Sequence, residues 1–255
     1  MRILYVASEV APFSETTAGA GLVRVLPEQL QETGDYETRI LMPRYGVVSE
    51  RRNRLHEVIR LSGENIPVGD DSDTLKVKVA SIPGIRIQVY FMDSVKYFKK
   101  KGIFKGKKDG KVFADNVERA LYFARATFAT VRKLGWQPDI VHAVGWVGAF
   151  APVLLKNELS DDPLFAEAKS VYTTDETDQA FTLTDDLVAR LGVAGTEPYA
   201  GQDLRAMGLA SADAVAYATG TSGERDGVVL AAEPAELTQQ AIALYTELHG
   251  STVEQ

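Results

Sequence analysis

The chain has 255 residues, a formal net charge of −7 and no cysteine. The acidic balance argues against nucleic acid or an anionic membrane as its main partner, and the lack of cysteine excludes disulfides and thiol chemistry. The length suits one large domain, or one domain with an appendage. No apolar run approaches the roughly 18 residues of a membrane-spanning helix, and no signal peptide is recognised at the amino terminus. We therefore expect a cytoplasmic protein that binds neither nucleic acid nor membrane.

The amino terminus predicts a strand, a loop and a helix. Residues 2–8 form a short apolar run, residues 14–21 are mostly small or polar, and apolar residues then recur at helical spacing from Leu22 to Leu30. This is the first unit of a doubly wound sheet, in which ligands lie at the carboxyl ends of the strands, beside the helix amino terminus. We therefore predict that the loop binds a ligand. Its candidate contact residues are Glu15, Thr16, Thr17, Gly19 and Gly21.

Common cofactor motifs are not found in the sequence. Gly19 and Gly21 supply a GxG, but Arg24 stands where the dinucleotide fingerprint requires glycine. The segment between Gly102 and Gly106 is one residue too short for a Walker loop. The histidines are far apart in the sequence and suggest no metal-ligand cluster. We predict no cofactor and no metal site.

The next part of the chain predicts a second strand and a β-hairpin. Residues 36–42 indicate a parallel strand that ends at Pro43. Apolar residues alternate with polar ones over 75–80 and again over 85–92, and a Pro-Gly turn lies between the two runs. This pattern is typical of two adjacent antiparallel strands.

Two basic segments flank the predicted hairpin. Residues 49–61 contain four arginines, and we interpret them as a solvated, salt-bridged surface in preference to a dedicated anion site. Residues 96–111 contain eight lysines interleaved with Tyr97, Phe98 and Phe104. We interpret this segment as a mobile loop that keeps the protein soluble, although such a pattern also suits a sugar polymer, a phosphate or single-stranded nucleic acid.

The second half of the chain predicts further alternation of helix and strand. Residues 115–134 indicate a long amphipathic helix that Asp115 opens. A buried strand with His142 at its carboxyl end follows, and a helix then runs from Trp146 to Lys156. Another strand covers 170–174 and leads into two adjacent acids.

Three residues at these strand ends are the candidates for catalysis. An isolated histidine such as His142 is more often a hydrogen-bonded core residue than a catalyst. Asp175 and Glu176 suit an acid–base pair or a cation site. Adjacent residues point apart, however, so we expect these two acids to cap a turn in solvent.

The predicted domain ends before an amphipathic helix. A helix over 203–209 and a strand over 211–217 complete a domain of residues 1–219. The remaining segment, 220–255, contains a linker and a C-terminal helix over 233–249. We expect the apolar stripe of this helix to pack back on the domain or on a second copy of the chain, through Leu237, Leu244 and Leu248.

The alternation of buried strands with amphipathic helices predicts the fold class. We expect an α/β domain with a Rossmann-like, doubly wound and mainly parallel sheet that has helices on both faces. Its parallel strands should lie near Ile3, Ile40, Ile140 and Val171.

Five stretches of the sequence carry a resemblance to a known family. They are Ala7-Ser8-Glu9-Val10-Ala11-Pro12-Phe13, Leu26-Pro27, Met42-Pro43-Arg44-Tyr45-Gly46, Asp115-Asn116-Val117-Glu118-Arg119 and Trp136-Gln137-Pro138-Asp139-Ile140-Val141-His142. These stretches resemble the amino-terminal domain of bacterial glycogen synthases and plant starch synthases, which are GT-B glucosyltransferases that use ADP-glucose. The resemblance covers residues 1–218 and implies one half of a GT-B fold. It also implies α-glucan and ADP-glucose as ligands, and Trp146 as a further ligand contact.

The sequence departs from the family pattern at positions that carry its chemistry. The family has Lys-Thr-Gly-Gly-Leu-x-Asp where this chain has Glu15-Thr16-Thr17-Ala18-Gly19-Ala20-Gly21, so Glu15 replaces the phosphate-contacting lysine. The family's His-x-His-Asp-Trp-His is here His142-Ala143-Val144-Gly145-Trp146-Val147, which removes two imidazoles and a carboxylate. Its Thr-x-His-Asn becomes Thr173-Thr174-Asp175-Glu176. A linker and one helix follow where the family has its donor-binding domain.

Three functional hypotheses follow. The first is a catalytically degenerate domain that binds α-glucan or a protein partner and acts as a regulatory module. The second is an ADP-glucose:α-glucan glucosyltransferase that a separate chain or a homo-oligomer completes. The third is a small-molecule enzyme that uses His142, Asp175 and Glu176. Electrostatics favours the first, because Glu15 in place of a cation turns attraction for a diphosphate into repulsion.

Overall fold

The computed structural model describes residues 1–174, 181–221 and 225–250. The strands are β1 Arg2–Ala7, β2 Glu37–Pro43, β3 His56–Glu57, β4 Asn65–Val68, β5 Asp71–Thr74, β6 Lys76–Ser81, β7 Gln88–Asp93, β8 Ile140–Val144, β9 Lys169–Thr174, β10 Ala214–Tyr217 and β11 Val228–Val229. The helices are α1 Ala18–Glu32, α2 Glu50–Asn53, α3 Val95–Phe98, α4 Asn116–Leu134, α5 Phe150–Lys156, α6 Asp185–Leu191, α7 Leu204–Ser211 and α8 Pro234–Gly250. Short 3-10 helices cover 59–61, 146–148 and 197–199.

Within the described residues, nine strands form one sheet in the order β11-β10-β9-β8-β1-β2-β7-β6-β3. Neighbouring strands from β11 to β7 are parallel. The predicted hairpin is β6 and β7, which pair antiparallel from Lys76 opposite Asp93 to Ser81 opposite Gln88. The predicted α/β fold with a mainly parallel sheet is therefore confirmed. β1 lies at the centre and is buried from Ile3 to Ala7, as expected for a parallel strand that has both faces covered.

The first helix begins earlier than the sequence indicates. α1 starts at Ala18, so Gly19 and Gly21 lie in its first turn and not in the preceding loop. Both Gly19 and Ala20 are buried there. A helical glycine costs about 1 kcal/mol relative to alanine, and tertiary packing of this turn outweighs that local preference. The loop between β1 and α1 is consequently shorter than predicted.

The C-terminal helix packs on the domain, as expected from its apolar stripe. Leu237 and Leu244 of α8 are buried, and Leu248 is partly buried against the same core. α8 lies beside α1. The segment after residue 219 also contributes β11, an edge strand that the sequence analysis does not predict.

A closed set of four charges joins the loop after β2 to the β6–β7 hairpin. Arg44 Nε lies 3.1 Å from Asp93 Oδ1, and Arg44 Nη2 lies 3.2 Å from Glu50 Oε1. Lys78 Nζ lies 2.8 Å from both acids. Each of the two acids therefore contacts two cations, which is the condition for a largely buried charge cluster to be stable. The cluster also uses the carboxylate of Glu50, which opens α2.

Candidate functional site

A cleft lies at the carboxyl end of the sheet, between the loop after β1 and the lysine-rich segment. Its volume is about 610 Å³, which lies within the usual range of ligand pockets, about 300–1,000 Å³. Its walls combine apolar side chains with lysines, small polar residues and one acid. The lining residues are Phe13, Ser14, Glu15, Thr16, Val47, Gly102, Ile103, Phe104, Lys105, Gly106, Lys107 and Gly110.

The loop after β1 is held in shape by a buried acid. The Glu9 carboxylate accepts a hydrogen bond from Thr16 N at 3.1 Å and another from Thr16 Oγ1 at 2.6 Å. The ring of Phe13 packs edge-on against Phe91, with 5.0 Å between centroids. These contacts fix the loop at both ends of the turn. The exposed side chain of Glu15 consequently stands at the rim of the cleft.

The lysine-rich wall of the cleft is a hydrogen-bonded turn. Lys105 and Val112 form an antiparallel bridge, Phe113 N donates to Phe104 O at 3.0 Å, and Asn116 Nδ2 donates to the same carbonyl at 2.8 Å. Lys105 and Lys107 line the cleft. Neither ammonium group forms an ion pair with any residue in the described ranges, so this wall presents uncompensated positive charge.

Arg119 lies beneath this wall and holds it to its neighbours. Its side chain is fully buried, Nε donates to Tyr97 O at 2.7 Å, and Nη1 donates to Asn116 Oδ1 at 2.5 Å. Burial lowers the pKa of Arg119 from its ordinary value. Cation–π contacts with surrounding rings stabilise such a desolvated guanidinium. The rings lie 5.2–5.8 Å from the guanidinium carbon and belong to Tyr45, Phe98, Phe113 and Trp146.

The turn after β8 offers the cleft no polar side chain. Val144, Trp146 and Val147 are buried, and Gly145 has none to offer. Trp146 packs against Phe181, with 5.0 Å between ring centroids. The predicted ligand contact Trp146 is therefore a core residue in this structure and does not line the cleft.

His142 lies within β8, two residues before the end of the strand, and not at its carboxyl end as the sequence indicates. It is buried, and both ring nitrogens are engaged: Nδ1 lies 2.6 Å from Tyr245 Oη, and Nε2 lies 2.6 Å from Thr173 Oγ1. Tyr245 Oη lies 3.2 Å from Tyr5 Oη. The histidine thus joins the sheet to α8 through a buried polar network. Burial lowers the pKa of His142 to about 3.

This low pKa predicts an acid-sensitive contribution to stability. His142 is neutral in the fold, whereas the unfolded chain takes up a proton below the ordinary histidine pKa of 6.5. Stability is therefore lost as the pH falls from 6.5 towards 3. From about pH 7 to about pH 5 we expect the free energy of unfolding to fall by roughly 2 kcal/mol through this group. Urea titrations of the wild type and of His142→Gln at both pH values measure the effect. An equal pH dependence in the two proteins would contradict it.

The structure separates the remaining candidate residues. Glu15 and Thr16 line the cleft, whereas Gly21 lines a smaller groove of about 240 Å³ between α1 and residues 218–237. Gly19 is buried. Thr17 caps α1 without a side-chain hydrogen bond. Asp175 and Glu176 lie outside the described residues.

The cleft also contains residues that the sequence analysis does not propose as contacts. Val47 is 43% exposed on the wall, and no local pattern marks it. Ser14 is largely buried, and its Oγ has no hydrogen-bond partner within the described part of the chain.

Among the residues that the structure describes, no group of three histidines or acids is arranged so that it could hold a metal ion. No helix there is long and apolar enough to cross a bilayer.

Comparison with known proteins identifies the family of this chain. The profile of the starch synthase catalytic domain matches residues 2–219. The chain belongs to this family. Glycogen synthases of Chlorobium luteolum and Chlorobium limicola are 40% and 38% identical to it over 172 residues, which is 68% of this chain and 35% of each relative. The chain therefore spans about a third of the length of these relatives.

A solved structure shows the same fold. The catalytic domain of starch synthase IV from Arabidopsis thaliana, bound to ADP and acarbose, matches with a TM-score of 0.67 at 16% identity. The match covers 97% of this chain and 50% of that chain. The uncovered 3% is fewer residues than the 17 of α8, so the match extends into the C-terminal helix. Part of a starch synthase catalytic domain is thus recognisable in the sequence, and the same fold is present in the structure.

Proposed function

We propose that this starch synthase family member binds α-glucan in its cleft and does not transfer glucose, so that it acts as a binding or regulatory module. The observation that carries the proposal is the composition of the cleft. Its binding walls are ordered, whereas the turn after β8, where the family pattern has histidine, aspartate and histidine, offers only buried apolar groups at Val144 and Val147.

The cleft walls suit a carbohydrate. A sugar ring has apolar faces that pack on aromatic and aliphatic side chains, and hydroxyl groups around its edge that need polar partners. Phe13, Ile103 and Phe104 supply the apolar surface. Thr16 and the two lysines supply polar groups at its border. The volume of about 610 Å³ accommodates a short oligosaccharide and not just one sugar.

The same cleft is unfavourable for a nucleotide diphosphate near the loop after β1. Glu15 places a carboxylate where the family pattern has lysine, and like charges repel. The Glu9–Thr16 hydrogen bonds restrain the loop, so it cannot readily turn the carboxylate of Glu15 away by moving the backbone. Binding of a neutral glucan does not meet this repulsion.

Filling the cleft tests the proposed glucan site. Val47→Trp adds an indole at an exposed wall position, and we expect it to weaken binding of a linear α-1,4-glucan oligosaccharide by about tenfold or more, which corresponds to 1.4 kcal/mol. Isothermal titration calorimetry measures the dissociation constant. Val229→Trp is the matched control, because Val229 is 53% exposed on β11 and does not line the cleft. No glucan binding by the wild type, or equal binding by both variants, would refute this site.

A further inference from the structure

A second groove adjoins the cleft, since Phe13 lines both. It runs between the end of α2 and the turn that joins β6 to β7, and its volume is about 800 Å³. Its lining is basic on the α2 side, and on the other side it is apolar or neutral apart from Arg86. The lining residues are Phe13, Arg52, Asn53, Arg54, His56, Ala80, Ser81, Ile82, Pro83, Gly84, Ile85 and Arg86.

The arginines of this groove are not neutralised. The sequence analysis interprets residues 49–61 as a solvated, salt-bridged surface. The segment is largely exposed, and its Glu50 pairs with Arg44 and Lys78. Arg52 and Arg54, like Arg86 across the groove, nevertheless form no ion pair with any described residue. The nearest acid in α2, Glu50, is already shared by two other cations in the charge cluster. No acid is among the lining residues within the described ranges.

The backbone that carries these side chains is ordered by local contacts. Ser49 Oγ accepts a hydrogen bond from Arg52 N at 3.3 Å and caps α2. Arg54 ends the helix with a φ of 53°, a left-handed conformation that a residue with a side chain adopts at some energetic cost. His56 then pairs with Val79 in the sheet. The basic side of the groove is therefore a fixed turn between a helix cap and a β-ladder.

The chemistry of the groove selects a small organic phosphate. Guanidinium groups match phosphate oxygens in a bidentate fork. Ile82, Ile85 and Phe13 provide apolar surface for the part of the ligand that carries the phosphate. An extended polyanion would be repelled by the net charge of −7 on the whole chain. A small ligand within the groove is largely screened from charges more than about 8 Å away at physiological ionic strength, so this repulsion affects it less.

We propose that this groove is a second ligand site, distinct from the glucan cleft, which binds a sugar phosphate or a nucleotide monophosphate through Arg52, Arg54 and Arg86. The phosphate is held by the guanidinium groups, and the sugar or base packs on the apolar wall. This inference does not depend on the proposed glucan binding, because the two cavities have only Phe13 in common.

Calorimetry on the full chain tests the proposal with glucose 6-phosphate, AMP and inorganic phosphate, beside glucose and adenosine as uncharged counterparts. We expect at least one organic phosphate to bind more tightly than inorganic phosphate, and its uncharged counterpart not to bind here. Arg52→Gln/Arg86→Gln should weaken that binding by about tenfold or more, since it removes two charge-assisted contacts. Both side chains are exposed, so the variant should fold like the wild type, which circular dichroism checks.

The matched control is Arg51→Gln/Arg60→Gln, which removes the same charge from two exposed arginines that do not line the groove and should leave phosphate binding unchanged. An equal loss of phosphate affinity in both double variants would show a general charge effect and would refute the proposed site. So would the absence of binding at millimolar ligand, equal affinity for inorganic and organic phosphate, or tighter binding of a sulfated polysaccharide than of either organic phosphate.

Discussion

Purified protein should incorporate no labelled glucose from ADP-glucose into glycogen above the level of a heat-inactivated sample. A glucosyltransferase stabilises the departing diphosphate with cations and hydrogen-bond donors, and it aligns the sugar with polar groups. Here Glu15 stands at the rim of the cleft, and Val144 and Val147 are buried and apolar. Loss of one well-placed donor typically reduces the rate by about 10²–10³, and several are replaced together.

The control is a full-length starch or glycogen synthase in the same assay. The variant Glu15→Lys separates the effect of the Glu15 carboxylate from that of the apolar turn after β8. It places a cation in the loop after β1 and leaves the turn after β8 unchanged. We expect this variant to bind ADP more tightly than the wild type and still not to transfer glucose. Wild-type turnover that disappears in Val47→Trp, which fills the cleft, would show that the protein is an active transferase.

Tyr245→Ala should reduce the free energy of unfolding by about 3–5 kcal/mol, which is the usual cost of removing a large buried aromatic side chain. The ring of Tyr245 is fully buried, and its hydroxyl lies within hydrogen-bond distance of both His142 and Tyr5. The substitution leaves a cavity beneath α8 and an unpaired polar group on His142. A loss of this size is a large part of the total stability of a typical domain, about 5–15 kcal/mol.

Tyr245→Phe is the matched variant, because it keeps the ring and removes only the hydroxyl. We expect it to cost about 1–3 kcal/mol, the penalty for leaving a buried group unsatisfied. Urea denaturation followed by circular dichroism gives both values, and similar slopes against denaturant would show that the unfolding transition is comparable. If the free energy of unfolding of Tyr245→Ala lies within about 1 kcal/mol of the wild-type value, α8 does not stabilise the domain in solution as its contacts indicate.

Several residues that match the family pattern have structural tasks here. Glu9 holds the loop after β1 through Thr16, Arg119 joins the lysine-rich wall to α3 and α4, and His142 joins the sheet to α8. All three are buried. Glu9 and Arg119 stabilise the two walls of the cleft, whereas His142 stabilises the contact between the sheet and α8. These structural roles explain why matching motif residues alone are poor evidence for transfer activity.

The sequence by itself determines the elements of this fold. The apolar runs around Ile3, Ile40, Ile140 and Val171 predict four of the parallel strands that the structure contains, because burial of both faces of a strand is a local property of composition. The alternation within β6 and β7 likewise predicts their antiparallel pairing. The family is also visible in short motifs, since these are contiguous in the chain.

The tertiary structure determines the features that depend on contacts between residues far apart in the sequence. The start of α1 at Ala18 rests on burial of its first turn, and β11 rests on pairing with β10. The partner of His142 is Tyr245, 103 residues away, and the cage of Arg119 comes from four separate segments. No window of sequence contains both members of such a pair. These contacts form only when folding brings the segments together. The surroundings of each candidate site residue therefore follow from the tertiary structure and not from the local sequence.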